Sequence, residues 1–273
     1  TTDLASNARA IGGDEVEVMS LARGVQDPHF VEPKPSFLLE LRDADLLAVV
    51  GLGLESGWLP PLIDQSRNGD IRPGSRGYLD LSRGVEILDR PSGAVDRSMG
   101  DVHALGNPHY WLEPGNAIRI AAQFASRLAD LRPEARETFE KRLYDFKVRM
   151  NEANKRWTEM LAPYRGAKVV TYHRSWTNFA RRYGIDVVGF VEPKPGVPPS
   201  PSHIFDLIGM MKAEGVKAIL VEPYFDRETP LSIADRTGAQ VIVFYPSVGG
   251  TPELTDYEKL LERNVRALVD ALR

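Results

Sequence analysis

Five histidines hold most of the chemistry this chain can offer: His29, His103, His109, His173 and His203. There is no cysteine. Disulfides, thiolate nucleophiles and the cysteine-containing zinc signatures are therefore excluded. What remains is imidazole, which can act as acid, base or metal ligand, and its placement decides which.

His29 follows Asp27-Pro28 in a loop. His109 lies in Gly106-Asn107-Pro108-His109-Tyr110-Trp111, just ahead of a helix. His173 closes the β-branched run Lys168-Val169-Val170-Thr171-Tyr172, at the C-terminal end of a strand. All three fall at loop edges, where open α/β sheets bind ligands. Converging on one cleft, three imidazoles would suit a borderline cation such as zinc. The plainer alternative is that each is an ordinary surface or hydrogen-bonded histidine, and spacing alone leaves both readings open. His203, in Pro201-Ser202-His203, belongs to a helix N-terminus. His103, in a loop near His109, is expected to be solvated, or to cover the site or capture an ion transiently.

The elements that must position these residues are clearest in the C-terminal half. Near-continuous apolar runs at 168–171, 186–190, 217–221 and 240–244 alternate with helices expected at about 175–183, 202–214, 230–237 and 255–272. That pattern predicts a parallel sheet covered on both faces. The N-terminal half repeats the theme less regularly. Helices are expected near Leu4–Ile11, Ser36–Arg42 and Leu59–Arg67, β-type segments at Val16–Leu21 and Leu46–Gly51, and mostly loop from 68 to 107 with one strand or turn at Gly77–Leu81.

Between the halves, Phe139, Leu143, Phe146, Met150, Ala153, Trp157 and Met160 recur at alternating spacings of four and three, one stripe of an α-helix. Arg132-Pro133-Glu134 predicts its start, and Pro163 with Gly166 its end. The fold class is thus α/β, two lobes with parallel sheets, divided into residues 1–131, a linker helix 132–164, and residues 165–273.

The pentapeptide Val-Glu-Pro-Lys-Pro occurs twice, at 31–35 and 191–195, each time where the chain enters a helix, which agrees with a two-lobed plan. Composition narrows function further. A net charge of −4 gives a nucleic-acid surface no electrostatic support. The longest apolar run, near Leu46–Leu52, is too short to cross a bilayer. Thr1 in place of an initiator methionine predicts a processed or trimmed chain.

In order, Asp27-Pro28-His29, Asn107-Pro108-His109-Tyr110-Trp111-Leu112-Glu113-Pro114 and Tyr172-His173-Arg174-Ser175-Trp176 resemble the zinc/manganese solute-binding proteins of bacterial ABC importers. The resemblance covers essentially the whole chain. It implies two α/β lobes joined by one rigid helix, a first strand preceding Thr1, and a metal held in the cleft by His29, His109 and His173. Manganese-selective members tend to carry a carboxylate at the position of His173, so the resemblance implies Zn(II) as transported ligand ahead of Mn(II). It also implies a permease partner in the cytoplasmic membrane, a monomer, and a periplasmic or lipid-tethered location outside that membrane. One departure stands out. The family often supplies a fourth, carboxylate ligand just after the last strand, whereas Val243–Gly250 contains neither Asp nor Glu. Water or another group would take that position. Glu222 is the best substitute, and its competing role is to cap a loop or orient a ligand histidine.

Other functions remain compatible with these residues. Three histidines and a water also make a catalytic zinc site, with Glu222 as base of a hydrolase or hydratase. An adhesin or metal buffer without a transporter is a third reading.

Overall fold

A computed structural model describes residues 1–93 and 103–273. The chain begins with α1 (Thr2–Gly12), α2 (Pro35–Asp43), β1 (Leu47–Val49), α3 (Leu59–Ser66) and β2 (Tyr78–Asp80). Then follow α4 (Pro114–Leu131), α5 (Arg136–Leu161), β3 (Lys168–Thr171), α6 (Thr177–Tyr183) and β4 (Asp186–Phe190). The chain ends with α7 (Pro201–Glu214), β5 (Ala218–Val221), α8 (Glu228–Thr237), β6 (Gln240–Val243) and α9 (Tyr257–Leu272).

Two parallel sheets result. β1 pairs with β2, and β3 lies between β4 and β5 in the order β4-β3-β5-β6. The second sheet is the doubly covered one expected from its apolar runs. Val170, Ile219 and Val221 pack with Leu207, Ile208 and Ile233 of α7 and α8, while Val169, Ala218 and Leu220 join the cluster that contains Phe179, Leu261 and Val265 from α6 and α9. In the first half, Leu47 and Val49 pack with Leu41, Leu59, Leu62 and Ile63 of α2 and α3.

The expected linker helix is α5, 26 residues and about 39 Å long. Its stripe is real: Phe139, Phe146, Met150, Ala153 and Trp157 are buried, and Leu143 and Met160 are partly so. Pro133 starts a separate 3-10 turn instead of α5 itself. α5 packs on α1 and α4 from the first half and on α9 from the second, and Trp157 Nε1 donates to Glu262 on α9 at 2.5 Å. The largest buried cluster therefore runs without a break from Leu4 to Leu272, through both halves.

Two expectations change. Val16–Leu21 forms no strand: among the described residues it pairs with no neighbour, and the Val18 carbonyl accepts from the Arg9 guanidinium at 2.8 Å, a side chain where a ladder partner would be. β1 stops at Val49 because Gly51 turns with φ 78°. The next backbone N–H groups, of Val50 and Gly51, donate to the Glu55 carboxylate at 2.7 and 3.1 Å. Of the loop expected over 68–107, residues 94–102 lie outside the described chain; the remainder holds β2 and a 3-10 turn at Gly69–Ile71. No helix among the described residues is long and apolar enough to cross a membrane.

Candidate metal centre

His29, His109 and His173 come together. Each offers a ring nitrogen, and these atoms lie within 4.8 Å of one another. Ring centroids are 5.1 Å (His29–His109), 5.3 Å (His29–His173) and 5.2 Å (His109–His173) apart, close to an equilateral triangle.

The three rings are held by the same device. Asp27 Oδ1 accepts from the His29 backbone N–H at 3.0 Å and faces His29 Nδ1 at 2.6 Å. Asn107 Oδ1 does both for His109, at 2.9 Å each. Asp-Pro-His and Asn-Pro-His are thus two copies of one turn, in which an Asx side chain two residues back fixes both backbone and imidazole. In the second half the fixing group is Glu192 Oε1, in contact with His173 Nδ1. Where the acceptor is a carboxylate or an amide oxygen, Nδ1 must carry the hydrogen, which leaves the lone pair on Nε2.

Surrounding chain locks each holder in turn. Trp58 Nε1 donates to Pro28 O at 3.1 Å. Gly106, at φ 107°, brings the strand-like approach to Asn107 so close that a Cβ there would lie 2.9 Å from Leu88 O, and Asn107 N donates to that same carbonyl at 2.8 Å. Trp111 Nε1 donates to Pro246 O at 2.9 Å and Tyr110 Oη to Val50 O at 2.7 Å. Glu192 is held by Gly196 N, which donates to its Oε2 at 3.2 Å, and by its own backbone N–H on Tyr172 O.

Electrostatics favour the neutral ring at His109 and at His103. Burial pushes the His109 imidazole well below its ordinary range, and the neighbouring His29, His173 and His103 push the same way. Burial, again with His29 and His173, takes His103 down to about 3. At Asp27 burial acts upward, but the hydrogen bonds and charge of His29 outweigh it and hold the carboxyl below the usual carboxylate range. His109 Nε2 is buried and has no hydrogen-bond partner among the described residues, in a ring whose centroid is 5.1 and 5.2 Å from those of His29 and His173. A cation is what such an atom fits.

The lesser candidates separate. His103 Nε2 sits 3.0 Å from His29 Nε2, with the rings stacked at 5.1 Å; since His29 Nε2 is the acceptor, His103 is the donor. Glu222 is not in the three-histidine group. Its Oε1 accepts from Ser175 Oγ at 2.6 Å and Trp176 Nε1 at 3.0 Å, so it ties down the turn that follows His173. Burial, reinforced by Glu192, raises its carboxyl to about 8. His203 lies in the first turn of α7 as expected, its backbone N–H donating to the capping Ser200 Oγ at 3.2 Å. Arg174 lies 4.1 Å over the Phe190 ring, and Tyr245 is pinned through its backbone by Asn264; both serve packing. The two Val-Glu-Pro-Lys-Pro copies differ in use, Glu32 exposed and Glu192 buried against His173.

Two parallel-sheet lobes bridged by a long helix, with three imidazoles gathered from separate loops, define a solute-binding protein of the metal-transport class. The chain matches the family model of the periplasmic component A of the zinc-uptake complex over residues 1–271, and it belongs to that family. It is similar to the zinc-binding lipoprotein AdcA of Streptococcus pneumoniae, 24% identical over 265 residues, 95% of this chain and 52% of AdcA, so it spans about half the length of that relative. It is also similar to the manganese ABC transporter substrate-binding lipoprotein PsaA of Streptococcus mitis, 23% identical, covering 98% of this chain and 86% of PsaA. A crystal structure of ZnuA superposes with a TM-score of 0.83 at 27% identity, covering 100% of this chain and 96% of that one. These are binding proteins of transport systems, not enzymes, and the hydrolase or hydratase reading falls with that finding. Its supposed base, Glu222, spends Oε1 on Ser175 and Trp176 and stands outside the three-histidine group.

Proposed function

We propose that this chain captures Zn(II) outside the cytoplasmic membrane, free or tethered by lipid, and delivers it as a monomer to the permease of an ABC importer. The ion is held by Nε2 of His29, His109 and His173. One observation supports the reading: three rings on separate segments, each with Nδ1 against an Asp, Asn or Glu oxygen, bring one ring nitrogen apiece within 4.8 Å of the others. All three donors are nitrogens, which suits zinc better than manganese, an ion that prefers oxygen. The resemblance to AdcA, named for zinc, supports that choice, while PsaA shows that the family also serves manganese.

His103 is the side chain nearest to a fourth position, and we assign it the role of closing the site, with Glu222 supporting the His173 turn from behind. The same reading divides the chain into a first lobe of residues 1–131, a connecting helix at 132–164 and a second lobe of residues 165–273, supported by the two separate sheets.

Chelator-competition titration tests the ligand set. The unaltered protein is expected to take one equivalent of Zn(II) more tightly than Mn(II), and His29→Ala, His109→Ala and His173→Ala each to weaken zinc at least 100-fold. Wild-type zinc affinity in a His29→Ala/His173→Ala double variant would sink the assignment. Stimulation of ATP hydrolysis by a reconstituted permease with the zinc-loaded form tests delivery.

A further inference from the structure

The three ring holders are not chemically equal. His109 is held by a neutral amide, Asn107, while His29 and His173 are held by carboxylates, Asp27 and Glu192. Those carboxylates are themselves largely out of water, their side chains 18% and 5% exposed. Orientation alone does not require charge, since the Asn107 amide oxygen holds an imidazole at 2.9 Å in this same centre. A charge in a site of low dielectric is costly unless it is balanced, and here two negative groups stand one imidazole away from the point where the rings converge.

We infer that Asp27 and Glu192 set the charge for which the centre is selective. With three neutral imidazoles, the two carboxylates balance a divalent cation, and converting either to an amide shifts the preference toward a monovalent, imidazole-seeking cation such as Ag(I). They are positioning residues that also act through the ring: the Nδ1–H to carboxylate bond strengthens as positive charge arrives on Nε2. The inference rests on His29, His109 and His173 being the ligands.

The test uses Asp27→Asn and Glu192→Gln in the full chain, each nearly isosteric and each keeping an oxygen to accept from Nδ1. Zn(II) and Ag(I) affinities are measured by chelator competition in chloride-free buffer. Zinc affinity is expected to fall 10–100-fold in each variant, with silver affinity changed less than about threefold, so the zinc-to-silver ratio drops about tenfold or more. Asp27→Ala and Glu192→Ala, which also free the ring, are expected to weaken both ions. Parallel loss of zinc and silver in the amide variants, or no change in either, would overturn the inference and leave the ligand set standing. Failure of the unaltered protein to bind one equivalent of zinc would overturn both.

Discussion

Asn107 joins the two halves of the molecule through one amide: its Oδ1 fixes His109, and its Nδ2 donates to Arg174 O at 2.8 Å, the residue next to His173. The same NH2 group reaches Asp89 Oδ2 at 2.9 Å. The position of His109 is thereby tied to that of His173.

Asn107→Ala removes every one of these bonds at once. Zinc affinity is expected to fall 10–100-fold, the usual loss when a group that orients a ligand histidine is deleted. Melting temperature should drop as well, because Arg174 O and Asp89, both on exposed residues, lose a partner, a hydrogen bond of this kind being worth about 0.5–1.5 kcal/mol. Titration and a thermal scan on one preparation check both.

Acidification should weaken zinc binding, because protons and the ion compete for the same lone pairs. His109, already held far below its ordinary range, contributes no proton to that competition in mild acid. The slope of log affinity against pH between 7.5 and 5.5 should therefore stay below three. A slope of three would show that His109 takes up a proton in this range.

Burial of His103 and His109 in neutral form also sets a sign for stability without metal. Both are lowered in the folded state, His103 to about 3, so below about pH 6.5 the unfolded chain binds protons that the folded chain refuses. Stability of the apo form should decline as pH falls from there toward 3. His103→Gln should flatten part of that decline in urea titrations at pH 7 and 5.

Glu222 has the opposite sign. Its folded carboxyl is raised to about 8, so its neutral form is the one the fold favours, and stability erodes as pH rises from the unfolded value through 8. Glu222→Gln keeps the neutral shape and should melt several degrees higher than the unaltered protein at pH 9, with the gap closing by pH 5. An equal difference at both pH values would show that the carboxyl does not titrate in place.

Zinc itself should stabilise. At free metal 100-fold over Kd the linkage is worth about 2.7 kcal/mol, on the order of 5 °C for a chain of this size. A protein lacking His109 should lose that increment.

Long periodic elements were the legible part of this sequence. The α5 stripe declares itself through its period, and the four strand runs of the second sheet through an unbroken apolar character that burial on both faces demands. The three histidines were legible as loop residues, His173 at a strand end and His29 after a strand that does not form, though only the folded chain shows that they meet. Val16–Leu21 misled because alternation reports exposure, not pairing, and Arg9 took the carbonyl a strand would have used. The ring holders had a local signature that could have been read, Asp and Asn each two residues before a histidine with proline between. Glu192 had none, since its twin Glu32 sits in an identical pentapeptide and faces solvent.

The single buried cluster shared by both halves has a kinetic corollary. Interior side chains from α1, α4, α5 and α9 interlock across the midline, so swinging one half away from the other would tear open the hydrophobic interior. For the proposed zinc carrier this means that the ion escapes by displacement of one histidine-bearing segment at a time, such as the Asp27–Phe30 turn, with no jaw-like gape of the whole protein.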